Sequence, residues 1–549
     1  MTDFLIHNMA PIMFAALVVC LLLGYPVAFA LSFVGLGFAV LGIQLGLFHP
    51  SFLQALPDRV WGIVSNETLL AVPFFTFMGL ILERSGMAED LLDTVGQLFG
   101  PVRGGLAYAV IFVGALLAAT TGVVAASVIA MGLISLPIML RYGYDRRLAT
   151  GVIAASGTLA QIIPPSLVLI IMADQLGRSV GDMYEGAIIP GLVLTALYAS
   201  YVLGVTIFRP AAAPALPPEA RTLGSGIPSL LVTLAVSVVI GYGADRLAAG
   251  HMQGPEIAGF FAAVVFAYAV ASANKYLGLN LISRLAQEVI IALIPPLALI
   301  FLVLGTIFIG LATPTEGGAM GAVGALVMAA AKGRLNLAIT RQALESTAKL
   351  SSFVIFILIG ARVFSLTFYG VDGHKWVEDL LLNLPGGQLG FLIFVNAMVF
   401  VLAFFLDFFE LAFIIVPLLA PAAEKLGIDL IWFGVLLSIN MQTSFMHPPF
   451  GFALFYLRSV AARQPYIDKI TRKRIEPITT GQIYWGAVPF VIIQVIMVGL
   501  AIAFPQMVMH YKHTLTTDPS KIEIIVPPAG NDLNQPPSFD LSQPPDFGQ

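Results

Sequence analysis

Residues 143–166 read GYDRRLATGVIAASGTLAQIIPPS, and residues 427–450 read GIDLIWFGVLLSINMQTSFMHPPF. Each begins Gly-x-Asp, passes through an apolar run that turns small and polar, and closes on a Pro-Pro pair. Gly143, Asp145 and Pro164-Pro165 recur 284 positions later as Gly427, Asp429 and Pro448-Pro449, and Pro137 recurs at the same offset as Pro421. A constant offset with no gap marks an internal duplication, with copies over about 60–208 and about 346–505. In both copies the Pro-Pro pair falls 19 residues after the aspartate, inside what otherwise reads as a span. The second proline has no N–H to donate, and the residue before a proline is pushed out of the α region, so the helix breaks there. Within a bilayer, such a break frees backbone groups that can hold an ion or a carboxylate. Ser156, Gly157 and Thr158 precede the first break, and Asn440, Gln442, Thr443 and Ser444 precede the second. Interhelical hydrogen bonding is the competing reading of these polar groups.

The composition places the chain in lipid. Hydrophobic residues make up 58% of the 549 residues and charged residues 11%, against roughly 25% charged in an ordinary soluble domain. The net charge of −4 and the scattered short basic patches exclude nucleic acid as a partner. The single cysteine, Cys20, excludes an intramolecular disulfide framework and a cysteine-cluster metal site. The first apolar run, Pro11 to Ser32, lacks a basic start and a small-residue cleavage site, and reads as a retained span. At about 20 apolar residues per crossing, candidate spans lie near 10–28, 30–48, 68–84, 146–173, 186–208, 228–247, 257–273, 288–311, 316–331, 346–366, 428–457 and 483–505. The expected fold is thus an all-α polytopic membrane protein with about 12 transmembrane helices.

Two apolar stretches, about 105–140 and 386–424, are too long for one span and carry polar or helix-breaking residues near their middles. Cytoplasmic loops carry the excess of Lys and Arg. Arg84 and Arg103 before the first stretch, and Arg141, Arg146 and Arg147 after it, put both of its ends on the cytoplasmic side. Threading the spans through the later patches, of which Arg458 to Arg474 is the strongest, puts both ends of the second stretch outside. Both stretches therefore read as re-entrant hairpins entering from opposite faces, and the copies as inverted repeats. Thr120-Thr121-Gly122 marks the first tip, and Phe405 to Leu411 the second. Asp407 and Glu410 lie in the second tip, where an ionisable group at depth costs roughly 2.5–3.5 kcal/mol or more and is a functional candidate by default. Asp407 has three open roles: binding a cation, capping the hairpin, or pairing with a distant arginine such as Arg362. Thr313-Pro314-Thr315-Glu316 and Ser65-Asn66-Glu67-Thr68 read as helix N-caps. From about residue 506, and plainly after 512, the chain reads as a polar, Pro-rich disordered tail.

The segments SNETLLAVPFFTFMG at 65–79, GYDRRLATGVIAASGTLAQIIPPS at 143–166, ATPTEGGAMGA at 312–322 and GIDLIWFGVLLSINMQTSFMHPPFG at 427–451 resemble the large membrane subunit of tripartite ATP-independent periplasmic (TRAP) transporters. The resemblance covers most of residues 5–505. It implies a sodium-driven symporter of the elevator type in the bacterial inner membrane. It further implies a small four-helix membrane subunit, expected here as a separate polypeptide, and a periplasmic binding protein that delivers an organic acid such as a dicarboxylate or 2-oxo acid. On this reading about 1–60 and 209–345 form the scaffold, with an additional helix pair at 228–273, and the repeats 61–208 and 346–505 form the mobile part. Sodium, with no other cofactor, is assigned to Thr120, Thr121, Gly122, Ser156, Gly157, Thr158, Asp407, Asn440, Thr443 and Ser444. Substrate contact is assigned to Gln442 and His447, with Pro164, Pro165, Pro448 and Pro449 forming the breaks. The first tip has Thr121-Gly122-Val123-Val124 where the family commonly has Ser-Gly-Ser-Ser, and His447 stands near the second break, which opens proton coupling.

Other function classes find little in the sequence. An intramembrane enzyme would need a motif such as HExxH, and an ATP-driven pump a GxxxxGK[ST] loop; neither occurs. A stand-alone sodium- or proton-coupled anion symporter without a binding protein is the alternative within transport.

Overall fold

In lipid, an apolar chain satisfies its backbone by forming helices, and helices follow one another through nearly the whole of the chain. The computed structural model describes residues 2–122, 124–249, 255–468 and 470–512, with backbone only for Thr2, Thr120, Thr121 and residues 255–257. The segment 513–549, which holds most of the expected tail, lies outside the described residues. Residues 506–512, expected as the start of that tail, include a short helix, Gln506–Met509, in which Val508 is buried.

Among the described residues eight helices are long and apolar enough to cross a membrane, or up to ten if each of two bent pairs is one span. The sequence reading expected about twelve. Part of the difference is that the spans expected at 146–173 and 428–457 are each two short helices, Arg146–Thr158 with Leu167–Leu176 and Leu430–Met441 with Phe452–Val460. The two copies match in detail. Asp145 Oδ1 accepts from the amides of Arg147 and Leu148 at 2.9 and 3.1 Å, and Asp429 Oδ1 accepts from those of Ile431 and Trp432 at 2.8 and 3.1 Å. Each first helix then tightens into a short 3₁₀ turn, Leu159–Gln161 or Gln442–Phe445, before its Pro-Pro pair. Both Pro-Pro peptide bonds are cis.

The first hairpin consists of Gly105–Thr121 and Val124–Arg141. Its two ends sit at one level: the amides of Gly104 and Asp145 donate to the adjacent carbonyls of Ala213 and Ala212, and the Leu106 amide donates to the Tyr144 hydroxyl. The chain reverses at Gly122, whose φ of +58° is left-handed and suits glycine. The second hairpin descends through Gly387–Leu402, turns at 403–407 and returns through Phe408–Glu410, a π-helical turn Leu411–Ile415 and Val416–Lys425. Gln388 donates to the Leu426 carbonyl and Lys425 pairs with Glu378, so this hairpin too closes at its base.

Leu337–Gly370 is a single helix of 34 residues, and it crosses the boundary expected at 345–346 because no proline interrupts it. It packs on Val27–Gln44, Leu56–Val64 and Ala71–Arg84, and Ala71–Arg84 packs in turn on Pro314–Ala331. The additional pair, Ile227–Ala248 and Pro255–Leu277, packs on itself and on Arg284–Phe308 around its own small core of Leu230, Ala267, Ala271, Leu285, Ala286, Val289 and Ile290. A Cβ on Gly241 would come within 2.7 Å of the Gly259 carbonyl oxygen, so these helices meet through glycine backbone.

One departure from the all-α expectation lies in the basic loop after Phe452–Val460. Tyr466–Ile467 pairs antiparallel with Arg474–Ile475, in register Tyr466 to Ile475. Asp468 holds this turn by accepting from the amides of Ile470 and Thr471 and from Arg141 Nε at 2.9 Å, which joins the loop to the end of the first hairpin. Burial alone would raise the Asp468 pKa, but the Thr471 amide and hydroxyl together with the Arg141 guanidinium hold it at about 2. An unfolded aspartate titrates near pH 3.9. The contribution of Asp468 is therefore fully present above about pH 4 and is lost as pH falls through the folded value of about 2. Discounted for solvent screening it amounts to about 1 kcal/mol. The unfolding midpoint of purified Asp468→Asn protein should lie below that of the wild type at pH 7, with the gap narrowing below pH 4; a gap independent of pH would show that the charge contributes nothing.

Candidate functional site

Both helix breaks and both hairpin tips meet around one cavity of about 400 Å³. Gly122 and Val124 line it from the first tip, Gln161 and Leu167 from the first break, Asp407 and Glu410 from the second tip, and Phe445 and Tyr456 from either side of the second break. Leu350 and Phe353 of the long helix Leu337–Gly370 close the side, and Phe353 meets Phe409 edge to face at 6.0 Å. The first tip abuts its own break: a Cβ on Gly122 would lie 3.3 Å from Leu167 Cγ and 3.8 Å from the Pro165 carbonyl oxygen.

Beside the cavity the repeats join directly. Gln442 Nε2 donates to Thr158 Oγ1 at 3.0 Å, and these two residues stand 284 positions apart, so equivalent positions of the two copies bond across the local two-fold relation. Thr158 Oγ1 also donates to the Ala155 carbonyl at 2.8 Å and is hydrogen-bonded to the Tyr198 hydroxyl, which accepts from Gln494 Nε2 at 2.9 Å. This chain of side chains is fully buried. In the same two broken segments four buried side-chain oxygens have no hydrogen-bond partner, Ser156 Oγ, Gln161 Oε1, Gln442 Oε1 and Ser444 Oγ, and Gln494 Oε1 at the end of the network is a fifth. A buried polar atom left unsatisfied costs about 1–3 kcal/mol, so the cluster is a place where a cation would be well received.

The other sequence candidates fall into four groups. Gly157 is buried, and a Cβ there would stand 2.3 Å from Val128 Cγ2, so its part is to let the first hairpin approach. Asn440 and Thr443 are already engaged: Asn440 Nδ2 donates to the Asn396 carbonyl and side chain at 2.7 and 3.0 Å, fastening the second hairpin, and Thr443 Oγ1 donates to the Asn440 carbonyl at 2.7 Å. His447 stands apart from the cavity lining. Its ring stacks on Phe404 at 4.1 Å and meets Phe400 edge-on at 4.4 Å, and both ring nitrogens are buried without a hydrogen-bond partner. The side chains of Thr120 and Thr121 lie outside the described residues.

Asp407 caps the returning arm of the second hairpin. Its Oδ1 accepts from the Glu410 amide at 2.9 Å while Glu410 Oε2 accepts from the Asp407 amide at 2.9 Å, a reciprocal capping box. Both carboxyl groups also line the cavity, in which no Lys, Arg or His takes part. The two other expected caps are present as well. Thr313 and Glu316 form a capping box, Thr315 Oγ1 donates to the Glu67 carbonyl at 2.7 Å, and Asn66 accepts from the Thr68 amide while donating to Asp174 Oδ1 at 2.6 Å. Sequence reasoning missed Gln161, Tyr198, Asn396 and Gln494. Their signal was present as single polar residues inside long apolar runs, which mark interhelical bonds in lipid.

With this geometry in hand, the chain was compared with known proteins. The model of the "Tripartite ATP-independent periplasmic transporter, DctM component" family matches residues 14–507. Among curated relatives, the C4-dicarboxylate TRAP transporter large permease protein DctM of Pseudomonas aeruginosa is 29% identical over 419 residues, covering 75% of this chain and 82% of the relative. The sialic acid TRAP transporter large permease protein SiaM of Vibrio cholerae is 24% identical over 489 residues, 88% of this chain and 93% of the relative. The ectoine TRAP transporter large permease protein TeaC of Halomonas elongata is 25% identical over 506 residues, 91% of this chain and 98% of the relative.

Thr158→Val and Gln442→Leu should each lower unfolding stability in detergent by about 1–3 kcal/mol, because each strands a buried partner. In a double-mutant cycle the pair should cost less than the sum by about 1 kcal/mol. Strict additivity would mean that the cross-repeat bond carries no energy.

Proposed function

This chain belongs to the family of the DctM component of tripartite ATP-independent periplasmic transporters, and on that premise we propose that it carries a small organic acid inward across the bacterial inner membrane, coupled to sodium. The transporter role itself, and a multi-pass place in the membrane, come with the family and the apolar helices. The observation that carries the finer reading is the cross-repeat bond from Gln442 to Thr158, set among the unpartnered oxygens of Ser156, Gln161, Gln442 and Ser444. Oxygen donors of this kind suit a hard monovalent cation, and the two helix breaks add freed backbone carbonyls beside them.

Electrostatics argue for a cation as companion to the substrate. The cavity between the tips holds the carboxyl groups of Asp407 and Glu410 and no basic side chain. A substrate carboxylate placed about 5 Å from one ionised carboxylate would be repelled by about 3 kcal/mol at an effective dielectric of about 20. Sodium bound first at the breaks offsets that field, so an anion enters productively only after the ions. This ordering is what makes uphill uptake depend on the gradient.

In the proposed cycle the two hairpins and two broken spans move together as a body held by the cross-repeat network, while Leu337–Gly370 and Ala71–Arg84 packed on it stay with the scaffold, a narrower mobile part than the whole repeats 61–208 and 346–505 of the sequence reading. The relatives' names give different substrates, a C4-dicarboxylate, sialic acid and ectoine, and for this chain the reading extends to the class of small organic acids. A soluble periplasmic binding protein would deliver the substrate, and a small four-helix subunit would complete the membrane part.

Proteoliposomes holding this chain, its small subunit and loaded binding protein should accumulate substrate when an inward sodium gradient is imposed. Ser156→Ala and Ser444→Ala should each raise the sodium concentration for half-maximal uptake several-fold. Uptake indifferent to the sodium gradient would sink the coupling claim.

A further inference from the structure

A second cavity, of about 540 Å³, lies along the same long helix but carries the opposite charge. Arg59 and Arg362 line it together with Gln175, Ser365, Tyr369 and Phe413, and no Asp or Glu is among its lining residues. Neither arginine has an ion pair among the described residues. Arg362 stands eight residues before the end of Leu337–Gly370, so it lies roughly 12 Å of helix rise below that end. An unpaired cation on an apolar helix is kept where water or a ligand meets it.

The basic loops give the cavity its side. Leu337–Gly370 starts beside Lys332, Arg334 and Arg341 and so ends on the outer face. Arg59 sits on Leu56–Val64, just before the outer end of Ala71–Arg84. The tip cavity lies deeper on the same helix, at Leu350 and Phe353, and Phe353 is roughly 14 Å of helix rise from Arg362. A molecule travelling inward from the outer face thus meets two arginines first and two carboxyl groups second.

We propose that Arg59 and Arg362 form an outer carboxylate-binding vestibule that takes up the anionic substrate before it reaches the acidic cavity between the hairpin tips. The assignment of the ligand as substrate rests on the transport reading above; the anion preference of the cavity does not. Two guanidinium groups offer planar paired donors to a carboxylate, and Gln175, Ser365 and Tyr369 supply neutral donors around them. Gln175 and Phe413 come from the first broken span and the second hairpin, while Arg362 comes from the long helix. The vestibule therefore straddles two bodies that move relative to each other in the proposed cycle, and its grip loosens when they do.

The test uses charged thiol reagents and needs no knowledge of the substrate. In a Cys20→Ser background, Ser365→Cys protein is labelled from outside with an anionic and with a cationic methanethiosulfonate, each rate being divided by its rate with a free thiol. The anionic reagent should be favoured about tenfold, as expected of a focused positive field, and Arg59→Gln with Arg362→Gln should abolish the preference. Sodium acetate should slow labelling relative to sodium chloride at equal ionic strength, and Arg362→Lys should retain the charge preference but weaken that protection. If Ser365→Cys does not fold, Leu366→Cys reads the same cavity. Equal rates for the two reagents, or no difference between acetate and chloride, would overturn the proposal. These outcomes are independent of sodium-driven uptake, so a failure of the coupling claim leaves them readable.

Discussion

Bilayer hydrocarbon offers no water to a broken helix, and that constraint shapes the centre of this molecule. Where Pro164-Pro165 and Pro448-Pro449 interrupt their spans, the freed backbone must be met by protein or by cargo. The structure meets part of the need with a hairpin tip, Gly122 against Leu167 and the Pro165 carbonyl, and part with short local bonds. Ser166 Oγ donates to the Gln161 carbonyl at 2.7 Å and accepts from the Val168 amide at 3.2 Å. Near the breaks the side-chain oxygens of Ser156, Gln161, Gln442 and Ser444 remain buried without partners, in the same segments as the bond from Gln442 to Thr158. The site is thus what remains once the breaks have been sealed as far as the protein itself can seal them.

The same constraint explains why the cross-repeat network is polar. Packing alone could hold two helices together, but buried Thr158, Gln442, Tyr198 and Gln494 hydrogen-bond in series and require one relative placement of the repeats. A network of this kind specifies geometry because each member loses its partner if the register slips. Asn440 extends the fastening to the second hairpin through Asn396. The hydrogen bonds thus link the breaks to each other and to the second hairpin, and beside them the long helix Leu337–Gly370 contributes Leu350 and Phe353 to one cavity and Arg362 to another.

Much of this was legible before any coordinates. The offset of 284 residues located both breaks, the second tip from the first, and the paired Asp145 and Asp429 that the structure shows as N-caps, because backbone-shaping residues carry the same meaning wherever they occur. The polar side chains read less well. Thr158 and Gln442 bond to each other and Ser156 and Ser444 stay buried without partners, whereas Asn440 and Thr443 turn to structural bonds and His447 is enclosed by Phe400 and Phe404. Nothing local distinguishes these cases, since each is a small polar group or histidine in an apolar run.

Pro295-Pro296 shows where the sequence stops deciding. The same dipeptide that interrupts two spans lies inside the continuous helix Arg284–Phe308. By itself the sequence determined the helical membrane architecture, the duplication and its caps, all of which follow from composition and from short-range backbone chemistry. Which Pro-Pro pair opens a helix, which oxygens stay unpartnered, and that a basic cavity lies above an acidic one on a single helix were decided by the tertiary structure. Each depends on groups hundreds of residues apart in the chain, such as Thr158 and Gln442 or Arg59 and Arg362, being brought to one place by packing.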